Sequence, residues 1–147
     1  MPDYPGRPSH IMPGWVKPGA YYHVRIRIER DSPIPLTNEK AGRALLDSAI
    51  LYHEKAHWYC HFFLLMPDHL HALLAFPPEK KMSSVIGAWK SYQAKAHGIV
   101  WQGNYFDHRI RTDAELEEKA AYIRRNPVVK GLCATEYDWP WVINCPT

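Results

Sequence analysis

The stretch MPDHLHALLAF, Met66–Phe76, alternates between polar and apolar residues after a Pro-Asp turn. Successive side chains of a β-strand point to opposite faces of a sheet. The pattern therefore predicts a strand with His69 and His71 together on one face and an apolar face formed by Leu70, Ala72, Leu74 and Phe76. The aromatic and aliphatic run 58–66 precedes a Pro67-Asp68 turn, so we expect an antiparallel pair of strands.

A second alternating segment covers residues 20–30. Its apolar face is formed by Tyr22, Val24, Ile26 and Ile28, and its polar face by Tyr21, His23, Arg25, Arg27 and Glu29. Period two predicts another strand with one buried face and one polar face. A fourth strand is expected around Tyr105–Ile110.

Between these strands the apolar spacing is helical. The pattern predicts one helix over residues 38–57 and a second over residues 84–97 with Ser83 as its N-cap. A last helix begins at Thr112 or Asp113, and we expect Pro127 to stop it.

The resulting order, β-α-β-β-α-β followed by a helix, predicts an α+β fold. It is the ferredoxin-like arrangement, an antiparallel sheet with two helices on one face. The other face is expected to remain open, and the polar side of the first strand and the histidines of the third should lie on it.

The whole chain has 147 residues, 46% of them hydrophobic, and a formal net charge of +3. We expect a Pro-rich irregular leader over residues 1–19, one domain over 20–132 and a tail over 133–147. Three separated cysteines favour a reducing compartment, and no apolar run is long enough to cross a bilayer. These features predict a cytoplasmic protein, and the mild positive charge is compatible with a polyanionic partner.

The histidine pair has two interpretations. Two imidazoles on one strand face can share a divalent ion, and a third protein ligand would leave coordination positions open for substrate. Alternatively, His69 and His71 are ordinary polar residues on a half-exposed strand.

The segment YIRRNPVVKGL, Tyr122–Leu132, also has two interpretations. Tyr122 and Asn126 are four residues apart, so they share one side of the last helix. Tyr122 either packs at the edge of the core stripe formed by Leu116, Ala120 and Ile123, or faces the histidines as a nucleophile. In the second case Asn126 would offer its amide oxygen to the metal.

Basic and aromatic residues surround these segments. A path for DNA phosphates would be lined by Arg25, Arg27, Arg109, Arg111, Arg124, Arg125 and Lys130. Unpaired bases would stack on Trp101, Tyr105 and Tyr21. A solvated surface with scattered charge is the alternative.

Three blocks of the chain resemble the single-tyrosine HUH transposases, and among them the REP-associated tyrosine transposases: Met66–Leu74, Trp101–Arg111 and Tyr122–Leu132. The resemblance spans roughly residues 20–132. It implies a ferredoxin-like fold, Mg²⁺ or Mn²⁺ at His69, His71 and Asn126, and Tyr122 as a nucleophile that forms a 5′-phosphotyrosine in single-stranded DNA. It also implies imperfect-palindrome hairpins as partners and a monomer or homodimer.

The chain departs from the family pattern at two positions. Asp68 replaces a common Asn, for which we expect a turn role with little consequence, and Asn126 stands where many relatives carry Gln. Two other functions fit the same residues: a module that binds nucleic-acid hairpins without cutting them, and a metal-dependent phosphodiesterase that uses water. A covalent protein–DNA adduct distinguishes strand transfer from both.

Overall fold

The computed structural model describes residues 19–144, so the leader predicted for residues 1–19 lies, apart from Gly19, outside the described range, as does Cys145. In chain order the elements are β1 (Tyr22–Arg27), α1 (Glu39–Glu54), β2 (Tyr59–Leu65), β3 (His69–Ala75), α2 (Met82–His97), β4 (Phe106–Arg109), α3 (Asp113–Val129), a 3-10 turn (Glu136–Asp138) and β5 (Val142–Asn144).

The five strands form one sheet in the order β4-β1-β3-β2-β5, and every neighbouring pair is antiparallel. The first four strands follow the order 4-1-3-2 of the ferredoxin-like fold, so the predicted α+β architecture is confirmed. The fifth strand was not predicted. It extends the sheet beside β2 and comes from the tail.

The register between β1 and β3 places two arginines beside the two histidines. Arg25 lies opposite His71, and Arg27 lies opposite His69. Directly opposed residues of an antiparallel pair project to the same face of the sheet. The four side chains therefore share one face, as the alternation in the sequence predicted.

The opposite face of the sheet holds the main core, against which α1 and α2 pack. Its buried members include Val24, Ile26, Leu45, Leu70, Ala72, Leu74, Ile86 and Trp89. The indole N–H of Trp58 donates to the Ala49 carbonyl, and that of Trp89 donates to the Ser48 hydroxyl. Both helices are thus fixed to the sheet by apolar burial and by satisfied indole groups.

The second helix begins earlier than predicted. It starts at Met82, and Lys81, not Ser83, is the N-cap residue, without a side-chain capping bond. The backbone N–H groups of Ser84 and Val85 both donate to the Lys81 carbonyl. Ser83 therefore already lies inside the first turn, and the helix ends at Gly98, whose φ of 72° is left-handed.

The third helix covers part of the face that we expected to stay open, so that prediction was wrong. Ala120 and Ile123 pack there on the buried side chains Phe62, Leu64, Met66 and Leu73. These four side chains make the second face of the sheet partly apolar as well, and burying them under α3 stabilises the fold. The end of that face that holds His69, His71, Arg25 and Arg27 is polar.

Pro127 does not stop α3, contrary to the prediction. The helix runs to Val129 with Pro127 buried inside its last turn. The actual stop is Gly131, which has a φ of 75°. The Gly131 N–H donates to the Val128 carbonyl and the Leu132 N–H donates to the Pro127 carbonyl, which is the pattern of a Schellman cap.

The residues that follow α3 pack along the edge of the sheet formed by β2. The Trp139 indole N–H donates to the Leu65 carbonyl over 2.9 Å, and the Leu65 N–H donates to the Trp141 carbonyl. Trp141 lies against Gly42 of α1. Within residues 19–144, none of the helices has the length and apolar character needed to cross a membrane.

Candidate functional site

Two histidines of β3 form the centre of the site. The His69 and His71 ring centroids are 4.9 Å apart, and both side chains are buried. His69 Nδ1 lies 2.7 Å from Asp68 Oδ1, and His71 Nδ1 lies 2.9 Å from His23 Nε2. Because each Nδ1 has a partner, Nε2 is the nitrogen of each ring that remains for a cation.

Burial keeps these imidazoles neutral. Desolvation, together with the smaller effect of nearby positive charges, lowers the pKa of His71 to about 2 and that of His23 to about 4. Desolvation also lowers the pKa of His69, although the Asp68 carboxylate opposes the shift. A neutral imidazole has a free lone pair, so the rings are in the protonation state that binds metal.

The third predicted ligand lies beside the pair. Asn126 Nδ2 is 2.9 Å from His71 Nε2, and a turn of the amide would present Oδ1 at the same place. No group of three His, Cys, Asp or Glu residues within positions 19–144 is arranged to hold a metal. A cation at this point would therefore take a mixed set of two imidazole nitrogens and one amide oxygen, with other positions open to water or phosphate. The residues fit that donor set.

Tyr122 lies one turn before Asn126 on α3. The helical repeat places Glu115, Lys119, Tyr122 and Asn126 along one side of the helix. The Tyr122 side chain is 61% exposed, and among the described residues its hydroxyl makes no hydrogen bond. The structure records no contact between its ring and either histidine, so its role as a nucleophile stays a prediction. Tyr122 lies about 6 Å along the helix axis from Asn126, the residue that meets His71.

Two partners of the histidines, His23 and Asp68, were not predicted from the sequence. His23 was placed on the polar face of β1, yet it is only 5% exposed and its ring stacks on that of His71 at 5.1 Å. Asp68 was given a turn role alone, but its carboxylate fixes His69. The alternation in β1 predicted the face on which His23 lies. Its contact with His71 depends on the register between β1 and β3.

Lys119 is a third residue that the sequence analysis did not single out. After burial, the positive charge of Lys119 is the next largest effect that lowers the pKa of His23. The signal available in the sequence was its position one turn before Tyr122.

Of the basic residues predicted to contact DNA, some lie beside the histidines and others do not. Arg25 and Arg27 border the histidines, as described above. Arg109 lies opposite Tyr22, which packs against the main core, so its register directs it to the other face of the sheet. Arg111 lines, with Arg109 and Leu116, a cleft of about 340 Å³ beside the start of α3.

Two further basic residues lie near the end of α3. Arg125 is exposed and is 3.6 Å from Glu136, whereas Lys130 is the exposed C-cap residue. Neither touches the histidines. They border the helix that carries Tyr122 and remain candidates for phosphate contacts.

The residues predicted to stack on unpaired bases are all partly buried. Trp101 and Tyr105 pack against the main core, and the Trp101 indole N–H donates to the Lys90 carbonyl. Tyr21 is half-buried, with its ring 5.9 Å from that of His61. Phe106, which was not singled out, is 43% exposed on the histidine face.

Known proteins share this sequence pattern and this fold. The family model described as "Transposase IS200 like" matches residues 17–126, which include both histidines, Tyr122 and Asn126. A protein of Escherichia coli (strain K12), named as a REP-associated tyrosine transposase, is 28% identical over 82 residues, which are 54% of this chain and 50% of that protein. A candidate REP-associated tyrosine transposase of Haemophilus influenzae is 27% identical over 94 residues, 52% of this chain and 53% of that protein.

A solved structure agrees with the fold. The REP-associated tyrosine transposase bound to a REP hairpin superposes with a TM-score of 0.73 at 20% identity, covering 90% of this chain and 81% of that one. This chain matches about half the length of the curated relatives. Because the family model covers most of the sequence, from the residues before β1 to Asn126, the chain belongs to the IS200-like transposase family.

Proposed function

We propose that this chain is a metal-dependent endonuclease and strand transferase for single-stranded DNA, which forms a 5′-phosphotyrosine at Tyr122. The observation that carries the proposal is the contact between Asn126 and His71. It brings the helix that bears the phenol to the buried imidazole pair within one chain. Membership of a transposase family supports the same reaction class.

The proposed chemistry is a transesterification. The Tyr122 hydroxyl oxygen attacks a phosphorus of the DNA backbone, and the bond between phosphorus and the 3′ oxygen breaks. The phosphate keeps its bond to the 5′ oxygen of the downstream nucleotide and gains a bond to the Tyr122 oxygen, and the proton that the phenol loses balances the proton that the leaving 3′-hydroxyl gains. A 3′-hydroxyl can later attack the phosphotyrosine, which rejoins DNA and restores the phenol without an external energy source.

The chain's own residues prepare the site for this reaction. His69, His71 and Asn126 would hold Mg²⁺ or Mn²⁺, and that ion would withdraw charge from the phosphate when bound. Asp68 and His23 hold the two imidazole rings in orientation through their Nδ1 atoms. Arg25 and Arg27 flank the pair and offer positive charge to the phosphates on either side of the reacting one.

The proposed substrate is a single strand that carries an imperfect-palindrome hairpin near the cleavage site. A structural neighbour is a transposase bound to a REP hairpin, which supports a hairpin as the partner. The exposed side chains of Arg27, Arg111 and Lys130 would contact the phosphates of a strand that crosses the site. We propose that one chain holds a complete site, whether the protein is a monomer or a homodimer.

The experiment uses a hairpin oligonucleotide from the DNA that flanks the gene, labelled at its 3′ end because the proposed adduct joins the protein to the fragment that carries that end. It is incubated with Mn²⁺ and wild-type protein, Tyr122→Phe or Tyr92→Phe, and run on a denaturing protein gel. Tyr92 is a matched control because it is 66% exposed on α2, on the other side of the sheet. We expect a labelled protein band with the wild type and Tyr92→Phe, no band with Tyr122→Phe, and loss of the band with a chelator.

The other outcomes select the alternatives. Cleavage without a protein-linked label, and unchanged in Tyr122→Phe, would indicate a phosphodiesterase that uses water. Hairpin binding on a native gel that resists chelator, with no cleavage, would indicate a binding module.

A further inference from the structure

Phe106 is an exposed aromatic side chain on the face of the sheet that holds the histidines. It begins β4 and lies opposite Arg25 in the register with β1. Every residue of β4 is exposed, and Phe106 retains 43% of its accessible surface. Single exposed apolar side chains are common on protein surfaces, so it is the neighbours of Phe106 that indicate a role for it.

The neighbours of Phe106 connect it directly to the candidate site. The Arg25 guanidinium carbon lies 4.8 Å from the centre of the Phe106 ring. The His23 ring lies 5.8 Å from the same ring at an angle of 75°, and His23 in turn stacks on His71. One imidazole ring therefore separates Phe106 from the histidine that meets Asn126.

An aromatic ring beside an arginine on an open sheet face suits an unpaired nucleotide. Every base has a flat π-face, so stacking on an aromatic side chain tolerates many sequences. The guanidinium of Arg25 is planar and permanently charged, so it can stack on the phenyl ring and contact a phosphate at the same time. Trp101 and Tyr105 cannot serve this purpose because both pack against the main core.

We propose that Phe106 is the stacking platform for an unpaired base about one or two nucleotides from the phosphate held at the histidine pair, with Arg25 contacting the phosphate between them. This inference rests on the proposed single-stranded substrate and adds the residue that positions it. Phe106 is a positioning residue: it holds the strand so that the reacting phosphate lies under Tyr122.

A purely structural role makes a different prediction. If Phe106 only shields His23 and Arg25, then Phe106→Leu should preserve DNA binding, because leucine is apolar and of similar length. If the ring stacks on a base, Phe106→Leu should fail like Phe106→Ala, and Phe106→Trp should succeed.

The test measures binding separately from cleavage. Fluorescence anisotropy with the same hairpin oligonucleotide is recorded for variants made in a Tyr122→Phe background, which prevents cutting. We expect Phe106→Ala and Phe106→Leu to weaken binding about 5- to 150-fold, the range expected for one lost stacking contact. Phe106→Trp and the control Tyr92→Ala should bind like the parent, and thermal unfolding of each variant checks the fold.

A series of oligonucleotides with one abasic position each identifies the stacked base. At that position the missing base should weaken binding by the parent but cause no further loss in Phe106→Ala. If the two losses add at every unpaired position, or if Phe106→Leu binds like the parent, the stacking role is wrong. Undetectable binding by the parent itself would overturn it too.

The outcomes separate this inference from the proposed function. A Tyr122-dependent adduct together with binding that ignores Phe106 would reject the platform alone. Binding that depends on Phe106 together with no adduct would reject the cleavage reaction and leave the platform in place.

Discussion

Asn126 Nδ2 lies 2.9 Å from His71 Nε2, although 55 residues separate the two positions in the chain. This contact joins α3 to the centre of the sheet at the end where the face is polar. It also determines where Tyr122 emerges, because that residue precedes Asn126 by one helical turn. The position of the phenol therefore depends on the same contact that brings Asn126 to the proposed metal ligands His69 and His71.

Replacing Asn126 should change metal affinity in a direction set by the new side chain. Asn126→Ala removes one donor, and we expect Mn²⁺ affinity measured by titration calorimetry to fall by about tenfold or more, equivalent to about 1.4 kcal/mol. Asn126→Asp supplies a charged oxygen and should bind Mn²⁺ more tightly than the wild type. Asn104→Ala, in an exposed loop, is the control. Equal affinity of Asn126→Ala and wild type would exclude Asn126 as a ligand.

His23 should act through His71. His23→Phe keeps the ring size but leaves His71 Nδ1 without its partner, and loss of such outer partners typically costs about 10- to 100-fold in metal affinity or activity. Mn²⁺ titration and the adduct assay would measure both effects. The matched substitution His97→Phe, on α2, should have neither. Wild-type affinity in His23→Phe, with an unchanged melting temperature, would show that the stacked pair is not needed.

The active site should be complete within one chain. A mixture of Tyr122→Phe protein with His71→Ala protein should form no adduct, because neither chain carries both the phenol and the metal ligand. Each variant alone provides the baseline. Adduct formation restored by mixing would mean that α3 of one chain serves the histidines of another.

Two glycines on helices should respond to alanine in opposite ways. A Cβ at Gly42 would lie 2.7 Å from Cζ3 of Trp141 and 2.8 Å from the Leu36 carbonyl oxygen. We expect Gly42→Ala to lower the free energy of unfolding by about 1–3 kcal/mol. Gly87 of α2 has no such neighbour within 4 Å, so Gly87→Ala should stabilise by about 0.5–1 kcal/mol. Urea denaturation measures both, and equal effects would contradict the packing of the tail on α1.

Glu115 should make stability depend on pH at the start of α3. Its carboxylate accepts hydrogen bonds from the Arg111 N–H and the His108 ring, and these bonds lower its pKa below the ordinary value of 4.5. A pKa that is lower in the folded state stabilises the protein above the ordinary value, and this contribution is lost as pH falls through the folded-state pKa. Glu115→Gln should therefore lower the melting temperature at neutral pH but not in strong acid.

The control for this experiment is Glu118→Gln, an exposed glutamate on the same helix. It should leave the melting temperature nearly unchanged at both pH values. A melting-temperature difference between Glu115→Gln and wild type that persisted in strong acid would show that the carboxylate charge is not responsible.

The local periodicity of the sequence predicted most of the helices and strands, but it was less successful with the residues at which the helices begin and end. The alternation in β1 and β3 identified both faces of each strand, and Thr112 does cap α3. The helix starts and stops were less predictable because several nearby residues can close a turn. Pro127 fits inside the last turn of α3, and Gly131 provides the left-handed conformation that ends it.

Short motifs and side-chain periodicity, which are local, were enough to predict the family, the ferredoxin-like order of elements and the common face of His69 and His71. Four features became visible only in the folded chain: His23 pairs with His71, Asn126 reaches the same ring, Arg109 lies on the other face and the tail adds β5. Strand register and helix docking depend on contacts between segments that are distant in the chain, and no local pattern encodes the offset between them.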